Sequence, residues 1–207
     1  SIEAGDISEG LISKMAVSGK LCRHLHIPIQ SGDDDILKKM NRRYSRDDYR
    51  ALIKKIKDRI PGVAITTDIM VGFPGEGERN FRNTLDLAME IMPLRAHIFP
   101  YSRRPGTSAA LLKDGAGPVA IRERIGRLRE AVKISSFAYK KQFKGKEMDL
   151  LIEERSKRDN GYWEGYTDNY IRVKARSVNE LKNKIIKARL EKVNVNKDCI
   201  EGSFIIK

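Results

Sequence analysis

Val63-Ala64-Ile65-Thr66-Thr67-Asp68-Ile69-Met70-Val71 is β-branched and almost continuously apolar, and it stops at Gly72-Phe73-Pro74-Gly75-Glu76. Such a run, bounded by turn residues, predicts a buried strand of the kind parallel sheets use. A helical pattern follows from about Glu78 to Ile91. Upstream, Leu25 to Ile29 reads as a second short strand leaving into Gln30-Ser31-Gly32. Two helices come next, Asp33 to Arg43 with Ile36, Leu37 and Met40 in phase, and Arg46 to Ile60, closed by Pro61-Gly62. Downstream, Arg95 to Tyr101 forms a third strand, ending in Ser102-Arg103-Arg104-Pro105-Gly106-Thr107. A long amphipathic helix then runs from Pro118 to Phe143. Strand, glycine-containing loop and helix thus recur three times, which argues for an α/β fold with a parallel sheet and right-handed crossovers. In such folds chemistry sits at the carboxyl ends of the strands, so the loops at Gln30, Gly72 and Ser102 are expected to share one mouth. Three or four units are too few to close a barrel, which needs about six to eight strands.

Beyond Phe143 the rhythm turns to strands. Glu147 to Arg155 alternates, Asn160-Gly161 carries a hairpin signal, and Tyr162 to Gly165, Tyr170 to Ala175, Lys184 to Lys192 and Ile200 to Ile206 supply further strands. Five short strands fit a small all-β barrel of the oligonucleotide-binding kind. The expected division is 1–142 and 143–207, with the break between 141 and 146.

Composition bounds the function. Hydrophobic residues make up 40% of the 207 and charged residues 33%, which describes a folded protein rather than a disordered one. No apolar run is long enough for a bilayer span and no signal segment opens the chain. Two distant cysteines, Cys22 and Cys199, point away from a secreted disulfide scaffold and toward a reducing, cytoplasmic setting. By themselves they also cannot form an iron–sulfur or structural zinc site. The net charge of +13 favours a polyanionic partner through counterion release. A charge-rich thermophilic surface is the other reading.

His24 and His26 fall on one strand face; they read as polar groups at a barrel mouth, since a metal pair would lack a third ligand. His97 carries no role. Asp68, inside a buried strand, either points into a lumen or hydrogen-bonds a neighbouring strand. Gly72-Phe73-Pro74-Gly75 lacks the Lys and Ser/Thr of a phosphate loop, and offers backbone amides beside an aromatic face to a flat ligand such as adenine. It also suits a tight structural turn. Arg103-Arg104 suits phosphate contacts at the rim. In the all-β part, Tyr162, Trp163, Tyr166 and Tyr170 interleave with Arg172, Lys174 and Arg176, as base stacking and backbone tracking require.

Three long motifs, Cys22–Asp33, Ile65–Glu76 and Pro100–Thr107, occur in order and together resemble the methylthiotransferase family of radical SAM enzymes. The tail Gly165–Val173 resembles the TRAM domain that ends these enzymes. The resemblance implies the last part of a radical SAM partial β/α barrel followed by a TRAM domain. It implies S-adenosyl-L-methionine and two 4Fe–4S clusters as cofactors, and insertion of a methylthio group at C2 of a modified adenosine 37 in the anticodon arm of tRNA. His97–Ser102 is similar to the branch acting on N6-threonylcarbamoyladenosine, with the isopentenyladenosine branch second and the ribosomal-protein branch an alternative. Gln30, Ser31 and Gly32 would flank the SAM site and Val71, Gly72, Phe73 and Pro74 its adenine. Arg103, Arg104, Tyr166, Tyr170, Arg172 and Lys174 would meet RNA. The CxxxCxxC motif and the second cysteine set of the family are not in this sequence, and the chain opens at Ser1 without a Met. A monomeric piece that holds no cluster and is inactive alone is therefore expected. A stand-alone RNA-binding protein and a metabolic enzyme gripping a phosphorylated small molecule are the competing readings.

Overall fold

A computed structural model of the chain describes residues 1–112, 115–157 and 159–205. It divides into two compact units, one of Ser1–Val17 with Leu25–Ser135 and the other of Ser18–His24 with Ser136–Lys207. The division therefore does not fall at one point near 141–146: the second unit also takes in a short N-terminal segment and the end of the long helix.

The first unit runs through α1 (Glu9–Val17), β1 (His24–His26), α2 (Asp34–Lys39), α3 (Arg46–Arg59), β2 (Ala64–Val71), α4 (Glu78–Ile91), β3 (Arg95–Pro100) and the start of α5 (Pro118–Lys141). Its sheet has the order β1-β2-β3, with β3 parallel to β2 in a register that sets Asp68 beside His97 and Met70 beside Phe99. Ser45 caps α3 in a reciprocal box with Asp48, satisfying two orphan donors at once. β2 alternates, with Ile65, Thr67, Ile69 and Val71 buried and Thr66, Asp68 and Met70 half-buried. Its buried side joins Ile53 and Ile56 of α3 and Phe81, Leu87 and Ile91 of α4 in one core. The strand expected to be buried throughout thus has one covered and one open face.

The first strand is shorter than its apolar run. Pro28 lacks an N–H, which interrupts a ladder, and side-chain hydroxyls complete the bonding. Tyr49 donates to the Ile27 carbonyl at 2.7 Å, Tyr44 lies 3.2 Å from the Pro28 and Ile29 carbonyls, and Thr67 Oγ1 accepts from the Ile29 N–H at 3.0 Å. Burial pushes the Tyr44 phenol up to about 12 and Tyr49 higher still, so both remain donors. Helix α2 covers less than the predicted Asp33–Arg43, because Asn41 turns left-handed at φ 57°.

The second unit is a closed barrel of β4 (Glu147–Arg155), β5 (Tyr162–Thr167), β6 (Arg172–Arg176), β7 (Ile185–Asn194) and β8 (Cys199–Phe204), in the order β4-β5-β6-β8-β7. All pairs are antiparallel except β6–β8. Trp163, Leu150, Ile152, Val173, Ala188, Leu190 and Ile200 are buried in it. The strand expected from Tyr170 starts at Arg172, since Tyr170 is left-handed at φ 58°. Ile206, the expected end of the last strand, lies outside the described residues.

One buried ion pair fastens α5 to the loop after β2. Arg124 donates to Glu76 Oε1 at 2.8 Å and to its carbonyl at 3.2 Å, and both side chains are almost fully buried. Burial raises the Glu76 carboxyl above its ordinary value, against the Gly72 N–H and Arg124. Truncating Arg124 strands that carboxylate. Arg124→Ala is expected to cost about 3–5 kcal/mol in urea unfolding, and Arg124→Ala with Glu76→Ala measurably less than the single change. Equal losses in the two would show that Arg124 acts by packing alone.

Candidate functional site

The three loops at the carboxyl ends of the strands are shaped by specific contacts. Gln30 is half-buried and held at φ 62°, a conformation that costs a non-glycine residue and persists only when its surroundings impose it. Here they do. Its N–H donates to the Asp68 carbonyl and its carbonyl accepts from the Met70 N–H, both at 2.9 Å. Ser31 is fully buried with its hydroxyl 3.3 Å from Thr84 Oγ1, and the Gly32 N–H donates to that oxygen at 2.9 Å. A Cβ on Gly32 would stand 2.7 Å from Thr84 Cα, so only glycine lets this loop lie against α4. Asp33 caps α2 and accepts from Asn80 and Asn83 at 2.8 and 2.6 Å. Burial would raise its carboxyl, but the Asn83 and Asn80 amides and the Ile36 N–H hold it below the ordinary value. Ser31 and Gly32 therefore support the loop, and Gln30 is the residue it presents.

After β2, Val71, Phe73 and Pro74 are buried and Gly72 is partly exposed at φ 78°. The Gly72 N–H donates to Glu76 Oε1 at 3.2 Å, and a Cβ there would meet Ile121 at 2.6 Å. Phe73 packs edge-on against Tyr101, with ring centroids 5.3 Å apart. Tyr101 was not singled out by its sequence context. Its hydroxyl is buried and has no hydrogen-bond partner among the described residues, an arrangement that a ligand's polar atom would relieve. The polar groups at these strand ends are Gln30, the partly exposed Gly72 and the buried Tyr101 hydroxyl, beside the Phe73–Tyr101 ring pair. Iron does not fit these residues. Cys22 is exposed, Cys199 is buried, and no cluster of three or more metal-ligating side chains occurs among the described residues.

On the open face of the sheet the structure brings together residues whose sequence context suggested little. His26 Nε2 lies 3.2 Å from Asp68 Oδ2, and His97 Nδ1 lies 3.7 Å from Asp68 Oδ1. Asp68 is half-buried and meets side chains of both neighbouring strands. His26 and His97 are separated by 71 positions, and only the parallel register aligns them. His24 goes elsewhere, stacking on Tyr170 at 4.2 Å, so the two strand histidines form no pair. In the loop after β3, Arg104 is exposed, whereas Arg103 donates to the carbonyls of Ala110 and Leu112 within its own loop.

In the barrel unit, Arg23 forks onto Asp168 at 2.6 and 3.0 Å beside a groove of about 630 Å³. Tyr166, Tyr170, Leu151, Met148 and Ile185 line it together with Glu147, Asp149, Glu153 and Asp168. Of the expected RNA contacts, Tyr166 and Tyr170 reach this groove. Lys174 does not: it is 3% exposed and its ammonium is held by Asp159, Glu164 and Ser156 at 2.8, 2.9 and 3.0 Å. Arg172 donates to the Lys197 carbonyl and lies 3.7 Å from Glu164. Alternation of aromatic and basic residues did not distinguish charges turned inward from charges turned out. Exposed cations stand instead on and before β7, at Lys182, Lys184, Lys187, Arg189 and Lys192.

Lys174, with Lys197, holds the Asp159 carboxyl down from 3.8 to about 2. A depressed carboxyl stabilises the fold above its unfolded value and loses that contribution as pH falls through the folded one. The barrel should therefore lose stability between pH about 4 and about 2, and Asp159→Asn should remove that component of the acid transition. Lys174→Ala should cost about 3 kcal/mol in thermal or urea unfolding. An acid transition identical in wild type and Asp159→Asn would contradict the assignment.

Residues 1–88 match the Radical SAM superfamily. Over 185 residues the chain is 38% identical to a tRNA-2-methylthio-N(6)-dimethylallyladenosine synthase of Lachnoclostridium phytofermentans, covering 89% of this chain and 41% of that relative. The synthase of the same name from Staphylococcus aureus strain Newman is 37% identical over 200 residues, 97% of this chain and 38% of the relative. The chain thus spans about two fifths of the length of the curated relatives it matches. Among solved structures, coproporphyrinogen III oxidase of Escherichia coli, a radical SAM enzyme, superposes with a TM-score of 0.53 over 81% of this chain and 45% of its own, at 13% identity. That likeness is one of fold.

Proposed function

We propose that the chain works as part of a tRNA methylthiotransferase, which inserts a methylthio group at C2 of a modified adenosine 37. The observation that carries this is the 200-residue similarity to a tRNA-modifying synthase, which takes in both units and not the sheet alone. In this reading the first unit meets S-adenosyl-L-methionine through Gln30, Gly72 and Tyr101, with Val71, Phe73 and Pro74 behind them and Ser31 and Gly32 setting the loop. S-adenosyl-L-methionine, when bound, supplies the radical and methyl chemistry. The 4Fe–4S clusters belong to parts of the enzyme other than these residues.

The second unit is the RNA-holding part. A five-stranded barrel in this strand order is consistent with a TRAM domain of the oligonucleotide-binding type, and the anticodon arm is its ligand. Tyr166, Tyr170 and Arg104 face the RNA, joined by the cations of β7, while Arg172 and Lys174 maintain the barrel. The substrate assigned is N6-dimethylallyladenosine, the nucleoside in the relatives' names. The likeness of His97–Ser102 to the threonylcarbamoyladenosine branch is the feature on the other side.

Fluorescence anisotropy of the 207-residue chain with a labelled anticodon stem-loop tests the RNA part. Affinity should fall linearly with salt on a log–log plot, and Tyr166→Ala should weaken binding by about 1–3 kcal/mol, the usual value of one stacked base. Salt-independent binding, or none at low salt, would refute it. Nucleoside mass spectrometry on tRNA treated with the complete enzyme decides the base: methylthiolation of the threonylcarbamoyl nucleoside alone would overturn the dimethylallyl assignment.

A further inference from the structure

The carboxyl-end loops and the barrel groove leave one polar constellation unused. His26, Asp68 and His97 lie on three adjacent strands of the first unit, on the half-exposed face of the sheet. The carboxylate of Asp68 sits between the two imidazoles, at 3.2 Å from His26 Nε2 and 3.7 Å from His97 Nδ1. On the far side of His26, Nδ1 lies 2.9 Å from Thr66 Oγ1. Side-chain exposure across the group rises from 26% at Asp68 and 29% at His26 to 74% at His97.

His26 Nε2 faces the Asp68 carboxylate, and its Nδ1 is within hydrogen-bond reach of the Thr66 hydroxyl. The His97 ring lies beyond hydrogen-bond distance of Asp68 and is largely exposed, so its imidazole edge is open to a ligand. The face then presents the Asp68 carboxylate and the His97 imidazole side by side. Flat apolar surface adjoins them: the His97 and Phe99 rings are 5.0 Å apart, and Phe99 is in register with Met70. The three side chains do not converge as a metal-binding group, so a cation is not the natural occupant. An anion is disfavoured by the Asp68 charge. A flat heterocycle carrying an exocyclic amino group can meet both the carboxylate and the imidazole over the apolar floor.

We propose that His26, Asp68 and His97 form a recognition site for the amino edge of an adenine-type base, with His97 and Asp68 in contact with it and His26 and Thr66 positioning the carboxylate. The choice of adenine among amino-bearing heterocycles rests on the tRNA reading above; the donor-seeking chemistry of the site does not.

Long-range ¹H–¹⁵N spectra of the histidine-labelled 207-residue chain, titrated with adenosine, uridine and inorganic phosphate, test it. Adenosine should shift the His97 ring nitrogens saturably, with smaller changes at His26, while uridine and phosphate at equal concentration leave them in place. His97→Phe keeps the packing against Phe99 and removes the imidazole, and should weaken adenosine binding at least tenfold. Asp68→Asn should do the same and move the His26 ring signals. Equal responses to adenosine and phosphate, or unchanged adenosine affinity in His97→Phe, would overturn the site. If the chain binds the stem-loop but adenosine leaves both histidines unmoved, this inference fails and the tRNA reading stands. If adenosine shifts His97 but no RNA binds, the site stands and that reading fails.

Discussion

Strand β2 is buried on one side only, and the first unit is organised around that asymmetry. Ile65, Thr67, Ile69 and Val71 face α3 and α4, where losing any one aliphatic side chain would open a cavity in a close-packed core. The period of two then places Thr66, Asp68 and Met70 on the opposite face without further instruction. Parallel pairing with β3 carries the pattern sideways, setting His97 and Phe99 in the same tiers. At the carboxyl end the chain must leave the sheet, and it does so through Gly72 under Ile121 and through the Glu76–Arg124 pair. The two faces of the same strand thus carry different kinds of residue, aliphatic on the buried side and polar on the half-exposed one.

The barrel unit meets a different constraint, that of closing a small sheet whose strands carry many charges. Its answer is internal pairing. Lys174 is enclosed by two acids and a hydroxyl, Lys140 is buried against Ser136 and Asp198, and Arg23 is forked on Asp168. Net charge is therefore a poor map of the surface that attracts a polyanion. In this unit it overstates β6 and understates β7.

What could be read from the residues followed local rules. The three strand–loop–helix units, the capped start of α3 and the five strands of the barrel all announce themselves by period and by turn residues. What could not be read depended on neighbours far along the chain. The early end of β1 needs Pro28 together with hydroxyls from Tyr44 and Tyr49, and α1 lacks a strong enough apolar stripe to stand out. The His26–Asp68–His97 grouping needs the register of three strands, and the unpartnered Tyr101 hydroxyl needs the position of Phe73. Lys174 misled because alternation identifies a strand's two faces but not which of them a salt bridge has closed.

The proposed function divides the labour: the strand-end loops of the first unit would take the adenosyl cofactor, and the barrel would take RNA. Amide chemical-shift mapping of the 207-residue chain tests it most directly, with S-adenosyl-L-methionine and an anticodon stem-loop added separately. The account predicts cofactor shifts at Gln30, Gly72, Phe73 and Tyr101, and RNA shifts at Tyr166, Tyr170 and the β7 cations. Cofactor shifts confined to the barrel, or RNA shifts confined to the helices α3 and α4, would contradict it.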